Sequence, residues 1–452
     1  MLVAGIKNVK QSSIGAIYLN MEIFINPQKN TWPQILQRPA FDFRELESKV
    51  SLMLDDVKLN GDTAVKKYTA AYDGVQLDEF AVTEKEIAEA VANVDAGLKA
   101  AIDLAKNNIT AFHSVQKEVV VKVDTSSGVL CWRKSVAIEK VGLYIPGGTA
   151  PLFSTLLMLG IPAVLTGCKD IIVCTPPDKS MKINPVILYV AQLIGLKNIY
   201  KIGGVQAIAA MSYGTETISK VNKIFGPGNQ YVTGAKQLVN AQGIAIDMPA
   251  GPSELAVYAD ETANPAFVAA DLLSQAEHGP DSQVVLVASS MSIVENVQVE
   301  IEQQLSKLPR KEIAAQALQN SLVIVMKNVA DAFELLNEYA PEHLIIAADN
   351  AEQLSEKVIN AGSVFLGHYS PESAGDYASG TNHTLPTNGF AKAYSGVSLD
   401  SFVKKITFQQ LTKAGLQNIG PALETMAAAE SLHAHRNAVT IRLNEIKINN
   451  GI

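Results

Sequence analysis

The sequence predicts an α/β protein with two parallel-sheet domains, a helical first part and a helical tail. Three observations predict it. From about residue 140 onward, short apolar runs alternate with helical patterns, the rhythm of parallel strands joined by crossover helices. The runs are too numerous for one compact sheet of ordinary width, which points to two α/β units. Glycine-rich turns sit where several runs give way to helices.

The elements follow in order. Asp42 to Leu59 has helical spacing, and Gly61-Asp62 restarts a helix that runs through Tyr72. Thr83 with Glu86 is a capping box opening a further helix. Val119 to Val123 and Val129 to Val136 read as strands around the turn signal Ser126-Ser127-Gly128. Strands follow at Lys140–Ile145, Asp170–Cys174, Asn198–Ile202 and Lys223–Phe225, with helices beginning near Phe153, Asn184, Val205 and Asn229. Later strands are Leu255–Ala259, Gln283–Ala288, Leu322–Met326, Leu344–Ala347 and Ser363–Leu366. From Gly367 to Gly396 the pattern breaks into a polar stretch rich in Gly, Pro, Ser and Asn, which carries Glu372, Asp376 and His383. So long a structureless stretch inside a compact domain favours function. A helical tail follows, clearest from Thr425 to Arg442.

Composition narrows the function classes. The chain has 452 residues, 45 acidic against 37 basic side chains, and a net charge of −8. That balance argues against a nucleic-acid binder. Three cysteines cannot staple a chain of this length, so it reads as cytoplasmic with reduced thiols. Val141 to Cys168 is uncharged and long enough to span a bilayer, but Pro146, Pro151 and Pro162 interrupt it. Strand, glycine-rich turn and buried helix is the better reading, with no membrane partner. The N-terminus mixes Lys7, Lys10 and polar residues among apolar ones and lacks the unbroken core of a signal peptide.

Several constellations carry chemistry. The turns at Pro146-Gly147-Gly148, Gly203-Gly204 and Gly226-Pro227-Gly228-Asn229 precede helices, where free N–H groups and the helix dipole suit a phosphate. None matches G-x-G-x-x-G, and glycines also simply turn corners in α/β folds. Gln275 and His278 share a helix face near a Gly-Pro stop. They suit zinc, although a histidine interacting with the helix C-terminal dipole explains the pattern equally and is the commoner case. Glu342-His343 stands at the start of an apolar strand and suits general acid/base work, or equally a capping or hydrogen-bonded pair at a loop end. Adjacent strand residues point to opposite faces, so both reach one site only through an irregular turn. In the tail, Glu430 and His433 share the face of a regular helix while His435 points away. Cys131, Cys168 and Cys174 read as packing residues rather than thiolate nucleophiles.

Together, longer strings are far more specific. VGLYIPGGTAPLFSTLLMLGIPA, KIFGPGNQYVTGAK, DMPAGPSE, LLSQAEHGPDSQ, PEHLII, SVFLGHYSPESAGDYASGTNHTLPT and LETMAAAESLHAHRNAVTIRL resemble the histidinol dehydrogenase family, in order, over about Val141 to Leu443. The resemblance implies two Rossmann-like domains and a zinc- and NAD-dependent oxidation of L-histidinol through histidinal to L-histidine. Matched by motif, it implies zinc ligands Gln275, His278, Asp376 and His435, and an acid/base pair of Glu342 and His343. Substrate contacts would be Ser253, Glu430, His343 and the metal ligands; NAD contacts would be Tyr144, Gln206 and Asn229. It further implies a homodimer whose exchanged tail completes the partner's site, which accommodates the poor phase of His435.

The expected division is 1–40 as extension and arm, 41–125 plus 253–390 as the α/β domain with metal and acid/base residues, 126–252 as the NAD domain, and 391–452 as the tail. His433 is an imidazole beyond the motif, His383 is placed near the metal ligands, and His113 and His368 have no assigned role. Met21 stands where an ordinary family chain starts, leaving residues 1–20 as an extension. The competing readings are a sibling dehydrogenase of another small polar alcohol and a noncatalytic metal- or nucleotide-binding protein; the intact Glu342-His343 pair disfavours the second.

Overall fold

The computed structural model describes residues 21–38, 43–147 and 152–449. The proposed extension 1–20, Asp42, Gly148 and Pro151 lie outside the described residues. The strands are β1 (Glu22–Ile25), β2 (Lys122–Ser126), β3 (Val129–Ala137), β4 (Lys140–Tyr144), β5 (Asp170–Thr175), β6 (Asn198–Lys201) and β7 (Lys223–Phe225). There follow β8 (Ala245–Ile246), β9 (Glu254–Ala259), β10 (Gln283–Ala288), β11 (Leu322–Val325), β12 (His343–Ala347), β13 (Ser363–Leu366) and β14 (Val403–Leu411). Every strand read from the apolar runs after residue 140 is present, within a residue of its expected ends.

The chain forms two compact units, residues 1–115 with 139–401, and residues 116–138 with 402–452. The larger holds two parallel sheets. One is six-stranded, ordered β1-β11-β10-β9-β12-β13, and the other five-stranded, ordered β6-β5-β4-β7-β8. The central strands are buried on both faces, which is why they read as continuous apolar runs instead of alternating ones. In β9, Leu255, Val257 and Ala259 pack into one core while Ala256 and Tyr258 pack into another across the sheet.

Four features differ from the sequence expectation. The helical segment expected to join residues 253–390 instead packs on the five-stranded sheet. Helix Phe43–Tyr68 sets Val50, Leu54 and Val57 against a core containing Ile172, Ile208 and Met211. Periodicity shows that a helix has an apolar stripe but not which sheet will cover it. The same helix is broken at Gly61, whose φ of 50° and ψ of −133° no helix accommodates, as the Gly61-Asp62 restart anticipates. Second, EIFI at Glu22–Ile25, read only as part of an arm, adds an edge strand beside β11.

Third, the smaller unit is not wholly helical. Strand β14 pairs antiparallel along β3, which pairs with β2, so residues 116–138 fold with the tail, whereas 116–125 were expected with 253–390 and 126–138 with the segment expected to bind NAD. Trp132 and Phe408 stack across this sheet, with centroids 5.4 Å apart and planes 8° from parallel. The tail comprises two helices, Lys413–Ala429 and His433–Asn449. Ser431, at φ 60°, breaks the expected continuous helix, and the N–H of Leu432 returns to the carbonyl of Ala427 at 2.8 Å. Fourth, the polar stretch 367–396 contains a short helix, Glu372–Tyr377, which fixes the positions of Glu372 and Asp376.

Candidate active site

Glu342 and His343, the expected acid/base pair, sit at the amino end of one strand. His343 is the first residue of β12 and lies in register with Leu255 of β9 and Ser363 of β13. Glu342 precedes the strand, after Ala340 in the left-handed region at φ 50°. This is the irregular turn the pair needs: Nδ1 of His343 lies 3.8 Å from Oε2 of Glu342, although the residues are adjacent in sequence. Both are buried.

One residue of the neighbouring strand engages both. The N–H of Glu254 donates to Oε2 of Glu342 at 2.9 Å, and the carbonyl of Glu254 accepts from Nδ1 of His343 at 3.3 Å. With Nδ1 as donor, Nε2 keeps its lone pair and faces Oδ1 of Asp376 at 3.7 Å. Burial pulls the His343 imidazole down to about 3, so it is neutral. Burial also raises Glu342 well above the usual carboxylate range, which makes it a stronger base when ionised.

Acidic and amide groups crowd the same place. Glu372 approaches Nδ1 of His343 to 3.6 Å and, with Asp376, forms a cluster whose ligand atoms lie within 4.8 Å of one another. Both oxygens of Glu372 are buried without a hydrogen-bond partner, and burial pushes its pKa well up. Burial raises Asp376 to about 7. Gln275, fully buried on helix Pro265–Ala276, likewise has neither amide atom satisfied. His278 stands two residues past the end of that helix, and burial followed by the charge of Arg310 lowers its pKa, leaving a neutral imidazole. Orphaned buried polar atoms are costly, and an amide oxygen, neutral imidazoles and a carboxylate form a donor set suited to zinc. His383, placed near the ligands by the sequence, lies within 2.9 Å of the carbonyl of Asp376 through Nδ1 and 3.2 Å of Thr155 Oγ1 through Nε2.

One cavity adjoins these residues, and Asn229 lines both it and a second, larger one. A cavity of about 310 Å³ is lined by Asn229, Ser253, His278, Glu342 and His383, so the five-stranded and six-stranded sheets both contribute. A larger one, about 1050 Å³, is lined by Tyr144, Gln206 and Asn229 at the carboxyl ends of β4, β6 and β7. That end of a parallel sheet is where dinucleotides usually bind. The turns there are less open than the sequence suggests. Tyr144 Oη accepts the N–H of Gly204 at 3.1 Å, Asp247 accepts that of Gly226 at 2.8 Å, and Asn229 Oδ1 caps Tyr231 and Val232 at 3.1 Å each. Side chains thus occupy several of the N–H groups expected to be free for phosphate. Gln206 donates to Asp73 at 3.2 Å.

Glu430 and His435 belong to the smaller unit. Glu430 ends helix Lys413–Ala429, His435 lies in the first turn of the next helix, and both are exposed, as is His433. Cys174 is fully buried, which pushes its thiol up, and Cys131 and Cys168 are half-buried thiols outside any disulfide. Sequence reasoning missed Arg38, Glu254, Lys236 and Asp247 around this site. The one available signal was an acidic residue opening the apolar run ELAVYA.

Two parallel sheets, a cavity of about 1050 Å³ at the carboxyl ends of one of them and a buried carboxyl–imidazole pair fit an oxidoreductase of the α/β class. The family described as Histidinol dehydrogenase matches residues 36–443. The chain is 59% identical to histidinol dehydrogenase of Bacteroides thetaiotaomicron, over 94% of this chain and all of that protein. It is 51% identical to that of Pectobacterium atrosepticum, over 92% of this chain and 93% of that one. A crystal structure of histidinol dehydrogenase from Elizabethkingia anophelis superposes with a TM-score of 0.93 at 56% identity, covering 94% of this chain and 99% of that one. The chain belongs to the histidinol dehydrogenase family. Among the described residues, no helix is long and apolar enough to cross a membrane.

Proposed function

We propose that the chain oxidises L-histidinol through L-histidinal to L-histidine in the cytoplasm, the last step of histidine biosynthesis. Family membership supports this, and the observation that carries the chemistry is the buried Glu342–His343 pair held by Glu254. Overall, the alcohol, two NAD and one water give the carboxylate, two NADH and three protons.

NAD, when bound, accepts each hydride, and zinc, when bound, orients the amino alcohol through its amine and imidazole. The residues of this chain do the rest. His343 Nε2 takes the hydroxyl proton as the first hydride leaves the carbinol carbon. Glu342 takes a proton from the water that adds to the aldehyde, giving the hydrate from which the second hydride departs. No thiolate is needed.

Gln275, His278 and Asp376 would hold zinc, with His435 supplied by the exchanged tail of a partner subunit in a homodimer. The orphaned amide of Gln275 and the neutral imidazole of His278 support that set. Ser253 would contact the substrate, and Glu430 would accept a hydrogen bond from its cationic end. Tyr144, Gln206 and Asn229 would line the NAD site, with Asn229 Nδ2 available because only Oδ1 is used in capping. Incubating the protein with L-histidinol, NAD and zinc should yield L-histidine and two NADH per substrate, and His343→Asn should abolish turnover. Absence of NADH, or faster turnover of another amino alcohol, would overturn this reading.

A further inference from the structure

At the amino end of β9 lies an ion pair that the proposed chemistry does not use. Nε and Nη2 of Arg38 donate to the two carboxylate oxygens of Glu254 at 2.5 and 2.9 Å. Nη2 also donates to the carbonyl of Tyr339 at 2.6 Å, and the guanidinium lies over the Tyr339 ring, 4.1 Å from its centroid. The N–H of Asn388 adds a 2.7 Å bond to Oε1 of Glu254. Tyr339 is itself fixed, donating through its hydroxyl to Gln283 at 2.9 Å. The Glu254 side chain is only 3% exposed and that of Arg38 16%, so the fork sits largely out of water.

Stability alone is a poor reason for such a pair. Desolvating two charges costs about as much as their attraction returns, and apolar replacements of similar volume are often neutral or better. Position is the better reason. The side chain of Glu254 is clamped at three points, while its N–H holds Glu342 and its carbonyl holds His343. Any shift of this one residue moves both hydrogen bonds together.

We infer that Arg38 and Glu254 are positioning residues, a buried fork that fixes the orientation of Glu342 and the tautomer of His343 through the main chain of Glu254. The inference rests on the proposed roles of Glu342 and His343. Misplacing reacting groups by about 1 Å costs on the order of 100-fold in rate. A lysine at position 38 keeps the charge but loses the two-pronged geometry.

The test uses the full-length, zinc-loaded protein with Arg38→Lys, Arg38→Gln and Glu254→Gln. Turnover should fall roughly 10- to 100-fold, measured well below each variant's Tm, with KM for NAD and zinc content unchanged. The acidic limb of the kcat–pH profile should move. Side-chain nitrogen NMR shifts should show His343 losing its Nδ1–H tautomer in part. Arg38→Lys, the mildest change, should restore Tm more fully than kcat and keeps the test open if the glutamine variants fail to fold. Lowered Tm with unchanged kcat, pH profile and tautomer would overturn the inference and leave the pair merely structural. If the unaltered protein makes no NADH from L-histidinol, the functional reading fails instead, and the His343 tautomer still decides whether the fork positions it.

Discussion

The N–H of Glu254 donates to the carboxylate of Glu342 at 2.9 Å, joining the first residue of β9 to the residue just before β12. Because the strands are parallel and in register, this bond holds Glu342 at the sheet's amino end, where His343 begins its strand.

Glu342→Gln keeps an oxygen for the Glu254 N–H but removes the base for water addition. The second oxidation should slow by about 10²- to 10⁴-fold while the first is less affected. NADH should then appear near one equivalent, with aldehyde recovered by a carbonyl trap. Two equivalents at the unaltered rate would refute the assignment.

Gln275→Ala removes the amide whose two buried atoms have no partner. Zinc per chain should drop, and a chelator should strip the remainder faster, as read by atomic absorption on the purified protein. Removing second partners of such sites typically costs 10- to 100-fold in affinity, and a direct ligand should cost at least about that much. Unchanged zinc content would remove Gln275 from the ligand set.

Gly226 sits at φ 127°, and a Cβ there would stand 2.1 Å from the carbonyl oxygen of Tyr144. Gly226→Ala must therefore displace β4 from the turn that leads to Asn229. We expect weaker NAD binding, by about tenfold or roughly 1.4 kcal/mol, in a titration of the zinc-loaded protein. The same turn is braced by the buried Lys236–Asp247 pair at 2.5 Å, with Lys236 Nζ also donating to the Gly226 carbonyl at 2.7 Å. Lys236→Met alone should cost about 3–5 kcal/mol in urea unfolding by stranding a buried carboxylate, and Lys236→Met with Asp247→Leu should recover part of that.

Away from the site, Asp56 is held down to about 2 by Lys67, then Asn60 and Tyr68. A carboxyl lowered on folding adds stability that is present above its unfolded value near 4 and disappears as pH falls through its folded value. Asp56→Asn should therefore destabilise the fold slightly at pH 6, by no more than about 1 kcal/mol for a surface network, and progressively less as pH falls toward the folded value. A difference that does not shrink between pH 6 and the folded value would show that packing, and not charge, is involved.

Local elements and donor chemistry are legible in the order of residues alone. Parallel strands buried on both faces announce themselves as apolar runs, as VVLVA in β10 and LVIV in β11 do, and Thr83 with Glu86 forms the capping box its spacing implies. The motif residues lie where motifs can be read, in turns and at strand starts. What the sequence could not show depends on distance through the fold. The helix Phe43–Tyr68 needed a sheet to cover its stripe, and only packing chose the five-stranded one. Glu342 and His343, which strand alternation would send to opposite faces, are reconciled by a left-handed Ala340 and one residue of β9. Arg38 and Glu254 are 216 residues apart and carry no local pattern. Their pairing exists because desolvation leaves a buried carboxylate no tolerable state without a partner, and only the tertiary structure decides which partner arrives.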